Sequence, residues 1–177
     1  DAIERLPAGE VVVLPNNSNI VPVARQAAEL SDRHVVVVPT RAIQEGFAAL
    51  LEYDPEADAD RNAQRMATAA TRVATGEVTR AVRASDSPAG KVREGDYIGL
   101  DRDGIVAVSS DLADATIRLL ESLLTPTHEL VTLLEGAGSS AAATRHVSEW
   151  LAESHPGVEL ERHVGGQPLH PYLVTVE

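Results

Sequence analysis

The sequence predicts an α/β fold in two lobes: a parallel β-α-β-α lobe, then a mixed α+β lobe with an antiparallel hairpin. Three observations carry this. The β-branched runs EVVVLP (10–15) and HVVVVPT (34–40) read as strands buried on both faces, as parallel strands are. Each is followed by a polar loop and then by apolar residues at helical spacing. Beyond Gly76 the periodicity falls to two, and DYIGL-DRDG-IVAV has the alternation and the Asp103-Gly104 turn of a hairpin.

The elements follow in order. After the first strand and its NNSN loop, Ile20, Val23, Ala24, Ala27, Ala28 and Leu30 define one helical face, and Pro22 is tolerable in a first turn. The second strand leads into a helix over 42–53. Asp54-Pro55 then opens a long alanine-rich helix whose inward stripe is Ala59, Ala63, Met66, Ala67, Ala70, Val73 and Ala74, with Gly76 as its stop. This sets the lobe boundary between Gly76 and Glu77, giving lobes 1–76 and 77–177. EVTRAVRAS alternates as a strand and the hairpin follows. Asp111 caps a helix that buries Leu112, Ala115, Leu119, Leu120 and Leu123, with Asp114 near its third position. ELVTLLEG is a further strand, and a helix with Ala143, Val147, Trp150 and Leu151 inward comes next. GVELERHV and PYLVTVE close the chain as strands.

Composition narrows the function classes. Twenty-seven acids against 15 bases give a net charge of −12, which repels phosphate backbones and anionic lipid, so no nucleic-acid partner is expected. No apolar run is long enough to insert into a membrane. The chain has no cysteine, which excludes disulfides and thiolate chemistry and fits a cytoplasmic protein. Aromatic residues are 3%, so the core must be aliphatic. The start at Asp1, without Met, reads as a piece of something longer.

Candidate sites lie where strands hand over to loops. In open α/β sheets ligands bind beyond the carboxyl ends of strands. Asn16, Asn17 and Asn19 follow the first strand and Thr40 follows the second, with Arg41 beside it. They could line an anion or acyl-headgroup site together with Arg83. The plainer alternative is that they only cap helices and shape turns. The segment GGQPLHPY (165–172) poses the same choice. Gly165 and Gly166 suit dihedrals other residues dislike, and Pro168 and Pro171 stiffen the approach to the last strand, while Gln167 and Tyr172 could make contacts at the lobe surface. EGAGSS (135–140) lacks both G-x-G-x-x-G and the Gly-Lys-Ser/Thr of a phosphate loop. The six histidines form no H-x-x-H, H-x-x-x-H or H-E-x-x-H, there is no G-x-S-x-G, and DPEADAD (54–60) suits a helix start better than a calcium loop. The residues favour a binding or docking module and supply no catalytic, cofactor or metal set.

Four stretches, taken in order, resemble one family: VVVLPNNSNIVPVARQAAELS (11–31), VVVVPTRAIQEGFAALLEYDPEAD (35–58), ATGEVTRAVRAS (74–85) with VREGDYIGL (92–100), and VELERHVGGQPLHPYLVTVE (158–177). They are similar to the C-terminal, DegV-like region of the catalytic component of bacterial fatty acid kinase (FakA), also described as dihydroxyacetone-kinase-like with a Dak phosphatase domain. The resemblance covers nearly the whole chain. It implies a DegV-like fold and a non-catalytic role for this region. In the family, an N-terminal kinase domain uses ATP and magnesium to phosphorylate a fatty acid held by a separate DegV-type carrier, for phospholipid synthesis. This region would dock that carrier and work beside its own kinase domain. A homodimer of the kinase through this domain is a further alternative, as is the small-ligand module above. Family members carry an additional upstream segment with a similar G-G-Q motif, so the first lobe is expected to be incomplete. The partner- or ligand-facing candidates are Asn16, Asn17, Asn19, Thr40, Arg83, Gly165, Gly166, Gln167 and Tyr172.

Overall fold

In the computed structural model, which describes residues 2–177, β1 (Glu10–Val13) and β2 (His34–Val37) pair in parallel, Val11 opposite Val35 and Val13 opposite Val37. They belong to a unit that ends at Val73. Its helices are α1 (Val21–Glu29), α2 (Ile43–Leu51) and α3 (Ala59–Arg72). The Asp58 side chain caps α3 by accepting from the Arg61 amide at 2.8 Å, and Glu10 Oε2 accepts from the Ala59 amide at 2.9 Å. Two donors left over at the helix start are thereby satisfied. The core joins Val38, Ala49, Ala63, Met66 and Ala70, with Val12, Leu14 and Val36 against them. Alanines on α3 let its backbone approach closely, as the sequence stripe implies.

One expectation fails here. The apolar face assigned to α1 is not buried: Ile20, Val23 and Leu30 are exposed, and Val21 is the one buried residue of the helix. On α2 the polar Gln44 and Glu45 are buried with Gly46 and Ala49, while Ile43, Phe47, Leu50 and Leu51 are exposed. A two-stranded sheet has too little area to cover an apolar stripe on every helix around it.

The second unit spans Ala74–Glu177. Its six-stranded sheet contains β3 (Ala74–Arg80), β6 (Tyr97–Leu100), β7 (Ile105–Ser109), β8 (Leu130–Glu135), β9 (Glu159–Val164) and β10 (Tyr172–Val176), in the order β7-β6-β3-β10-β8-β9. A separate hairpin, β4 (Ser85–Ser87) with β5 (Gly90–Val92), rises between β3 and β6 and has no counterpart in the sequence pattern. Helices α4 (Leu112–Leu123) and α5 (Ala141–Ser154) pack on the sheet around Val78, Leu119, Leu120, Val131, Leu133, Val147, Leu151, Val174 and Val176. The expected caps are present: Asp111 accepts from the Asp114 amide at 2.9 Å, and Gly104, at φ 138°, turns the β6–β7 hairpin. The boundary between units falls at Val73/Ala74, three residues before the expected 76/77. Gly76 is not a helix stop. It lies inside β3, where a Cβ would come within 2.9 Å of Leu119 Cδ1. Glycine is needed there because α4 lies directly on the strand.

Asp114 sits in the first turn of α4 and its carboxyl is held below its ordinary value of 3.8, first by a hydrogen bond from Ser109 and then by Arg118, whose Nε lies 3.0 Å away. A depressed folded-state pKa stabilises the fold above the ordinary value and loses that contribution as pH falls through the lowered one. The side chain is well exposed, so screening keeps the effect small. Asp114→Asn is expected to lower the unfolding temperature slightly at pH 7 and to converge with the parent in acid, once pH has fallen through the lowered folded-state value, in paired thermal melts.

Candidate functional site

In the first unit, the loops after β1 and β2 meet. Asn16 adopts a left-handed backbone conformation, φ 54°, and its amide donates to Thr40 Oγ1 at 3.0 Å. Thr40 is fully buried. The Asn16 carboxamide lies against Gly46 of α2, where a Cβ would come within 2.8 Å of Asn16 Cγ. Among the described residues, Asn16 Oδ1 is buried and accepts no hydrogen bond. Asn17 Oδ1 accepts from the Asn19 amide at 2.9 Å, and the Asn17 carbonyl accepts from the amides of Ile20 and Val21. The side chains of this cluster therefore shape the turn and do not cap: the residue at the head of α1 is Ile20, and at the head of α2 it is Ala42. Arg41 points its backbone amide at Glu45 Oε2, 2.7 Å away. Asn16 and Thr40 come together as the parallel strands predict, while Asn17 and Asn19 bond to each other.

Losing the Thr40 hydroxyl leaves the Asn16 amide without its acceptor in a partly buried setting. Thr40→Val is expected to cost about 1–2 kcal/mol, measured by urea unfolding of the chain.

In the second unit the candidate residues gather at one end of the sheet. β10 runs antiparallel to both β3 and β8, and β9 runs parallel to β8. The carboxyl ends of β3, β8 and β9 therefore share an end with the GGQPLHP loop. Gln167 locks that loop: its Nε2 donates to the Leu134 carbonyl at 3.0 Å, and its backbone carbonyl accepts from the Ala137 amide at 2.8 Å. Glu135 O accepts from both Gly165 and Gly166 amides, and Gly166 takes φ 69°. Gly165 has no room for a side chain because Gln167 Oε1 occupies the space. Thr79 Oγ1 donates to the Leu169 carbonyl at 2.8 Å and fixes the loop from the β3 side. Arg83 is exposed in the loop after β3.

Tyr172 corrects the expectation of a surface contact. It is fully buried in the core, its hydroxyl 2.8 Å from Thr144 Oγ1 and 3.4 Å from the Ser140 carbonyl. As the first residue of a central strand flanked on both sides, it cannot reach solvent. Burial is the main cause that raises its phenol above the ordinary value, so it stays a neutral hydrogen-bonding group. Sequence reasoning missed the Thr144 and Ser140 partners, which lie about thirty residues away in the chain. It also missed Arg80, which stacks 4.6 Å over the Tyr97 ring and donates to its hydroxyl at 2.6 Å; that strand neighbour is readable only once β3 and β6 are paired. Among the described residues no group of three histidines or acids is placed to hold a metal ion, and no helix is long and apolar enough to cross a membrane.

Comparison with known proteins agrees with this architecture. Solved structures share the fold: a DegV family protein of Corynebacterium glutamicum aligns with a TM-score of 0.60 at 14% identity, covering 99% of this chain and 77% of that one. A DegV family protein of Ruminococcus gnavus gives 0.60 at 6% identity, covering 99% and 74%. The dihydroxyacetone kinase of C. freundii also gives 0.60, at 12% identity, covering 99% of this chain and 39% of that one. In sequence, uncharacterized proteins of Staphylococcus aureus strains USA300 and N315 are 35% identical over 175 residues, 99% of this chain. The chain spans 32% of the length of those relatives. The model of the FakA-like fatty acid kinase C-terminal family matches residues 1–177, and the chain belongs to that family.

Proposed function

We propose that this chain is the non-catalytic docking domain of a fatty-acid-kinase-type protein. It would hold a DegV-type fatty-acid-binding partner so that a kinase domain elsewhere in the parent, using ATP and magnesium, can phosphorylate the bound fatty acid. The cytoplasm and lipid metabolism are the corresponding setting. The observation that carries this reading is the match to the family over the full chain, on a fold shared with DegV proteins. The loops of the second unit support it. Its strand-end residues are spent on internal bonds, Gln167 to Leu134 and Tyr172 to Thr144, which makes a rigid surface with no reactive group offered by either side chain. Titration calorimetry with the DegV-type protein of the same genome, loaded with fatty acid, tests the reading: binding is expected, and heat indistinguishable from dilution overturns it.

A second reading, a small-ligand module, has one observation in its favour. Among the described residues, Asn16 Oδ1 is a buried acceptor without a donor, at the carboxyl ends of two parallel strands. A ligand supplying an N–H or O–H group would satisfy it. Fatty acids and short-chain hydroxy compounds added to the chain should raise its melting temperature if this reading holds, and leave it unchanged if Asn16 only shapes the turn. Self-association of the domain is the third possibility, and light scattering of the chain decides it.

A further inference from the structure

Three large apolar side chains in the second unit are strongly exposed: Val82 at 86%, Val164 at 89% and Leu169 at 73%. They come from three separate parts of the chain, yet the topology brings them to one end. Val82 lies two residues beyond β3, Val164 is the last residue of β9, and Leu169 lies in the loop leading to β10. β3 and β8 both run antiparallel to β10, and β9 runs parallel to β8, so β3 and β9 finish at the end where β10 begins. Among the described residues no such side chain is found at the other end, where the β6–β7 turn and Glu177 lie. Scattered exposed hydrophobics need no explanation, but a gathering on rigid loops does. These loops are rigid: Leu169 is held through its carbonyl by Thr79, and its neighbour Gln167 by Leu134 and Ala137.

Exposed cations stand at this end among its carboxylates. Arg83 and Lys91 are exposed there and form no ion pair among the described residues, and Arg162 is exposed two residues before the end of β9. Several carboxylates at the same end are engaged within the protein: Asp96 accepts from the Arg93 amide, Asp111 from the Asp114 amide, Asp114 is paired with Arg118, and Glu77 faces His170 at 3.8 Å. Asp86, Glu94 and Glu135 remain. At the other end Asp101 and Asp103 stand in the β6–β7 turn on either side of Arg102, and Glu129 and Glu177 lie together beside the last strand.

We propose that the end of the sheet carrying Val82, Val164, Leu169 and Arg83 is the docking face of this domain, and that it receives an apolar recess rimmed by carboxylates on the partner protein. This rests on the docking reading above and names the face and the chemistry of the partner's patch. Short apolar side chains standing on fixed loops fill a recess in a folded surface, and unpaired cations beside them steer and orient an acidic rim. A net charge of −12 works against an anionic membrane as the occupant.

The test is calorimetric titration of the fatty-acid-loaded DegV-type protein of the same genome into the chain and three variants: Leu169→Asp, Arg83→Glu and, at the other end, Asp103→Lys. Leu169→Asp and Arg83→Glu are each expected to weaken binding about tenfold or more, with Asp103→Lys unchanged and parent affinity falling as salt rises. All three sites are exposed, and circular dichroism confirms that the variants fold. Parent binding with undiminished affinity in both face variants overturns this inference and leaves the docking reading standing. Absence of binding by the parent overturns the docking reading and this face with it. Preferential binding of phosphatidylglycerol vesicles, lost in Arg83→Glu, also overturns the protein recess.

Discussion

Leu119→Ala is expected to destabilise the second unit by about 3–4 kcal/mol. Leu119 is fully buried on α4 and fits where two neighbouring strands have no side chain. A Cβ on Gly99 of β6 would lie 2.9 Å from Leu119 Cβ, and one on Gly76 of β3 would lie 2.9 Å from Leu119 Cδ1. The leucine fills the hollow made by the two glycines, so truncation leaves a cavity that neither strand can close with a side chain of its own. Relaxation at such a site is poor, which puts the cost in the upper half of the range for buried leucines. Gly99→Ala or Gly76→Ala should also destabilise, by overpacking. Combined with Leu119→Ala, Gly76→Ala should cost less than the sum, because its methyl enters the space the leucine's Cδ atoms vacate, whereas Gly99→Ala should add nearly in full, because its close contact is with the Cβ that alanine keeps. Urea unfolding followed by amide signals of the second unit measures this. A loss below about 1 kcal/mol for Leu119→Ala, against the range for buried leucines, would show that the helix settles onto the strands.

That hollow also shows what the sequence could and could not convey. The buried face of α4 is legible because Leu112, Ala115, Leu119, Leu120 and Leu123 recur at helical spacing and the helix has one sheet to lie on. The cap at Asp111 is legible because capping is local chemistry, whereas the expected start of α3 at Asp54-Pro55 is corrected to Ala59, where Asp58 is the side chain that accepts from a first-turn amide. Gly76 misleads because a glycine after an alanine-rich helix looks like a stop, and only the close approach of α4, more than forty residues on, shows what it is for. The face of α1 misleads for a related reason. Periodicity tells which residues share a side of a helix, but the neighbouring layer decides which side is covered, and here that layer is two strands wide. In the candidate site, the pairing of Asn16 with Thr40 follows from parallel neighbours. Tyr172 does not follow: it comes after two prolines in a loop-like sequence, and its burial results from a central position between β3 and β8 that no local pattern encodes.

Gly136→Ala is expected to disrupt the GGQPLHP loop, at a cost of about 3 kcal/mol in stability. Gly136 has no positive φ, so the argument is one of space. A Cβ there would overlap the His170 carbonyl oxygen and lie 2.6 Å from the Gln167 carbonyl oxygen. Both are backbone atoms, and both sides of the clamp would have to move. The Gly136 amide donates to the Pro171 carbonyl at 2.9 Å and the Ala137 amide to the Gln167 carbonyl at 2.8 Å, so moving the loop breaks these bonds and the Gln167 side-chain bond to Leu134. Gly138→Ala in the same β8–α5 loop is the matched control. Its φ of 99° makes any side chain strained, but the nearest atom to a Cβ, Pro171 Cγ, is 3.7 Å away. Gly138→Ala should therefore cost about 1 kcal/mol from backbone strain and leave exchange at the Ala137 amide slow, whereas Gly136→Ala should make that amide exchange fast. The loop that presents Leu169 is then a device held by packing at a distance. If Gly136→Ala costs no more than Gly138→Ala and the Ala137 amide stays protected, the clamp does not depend on that close approach.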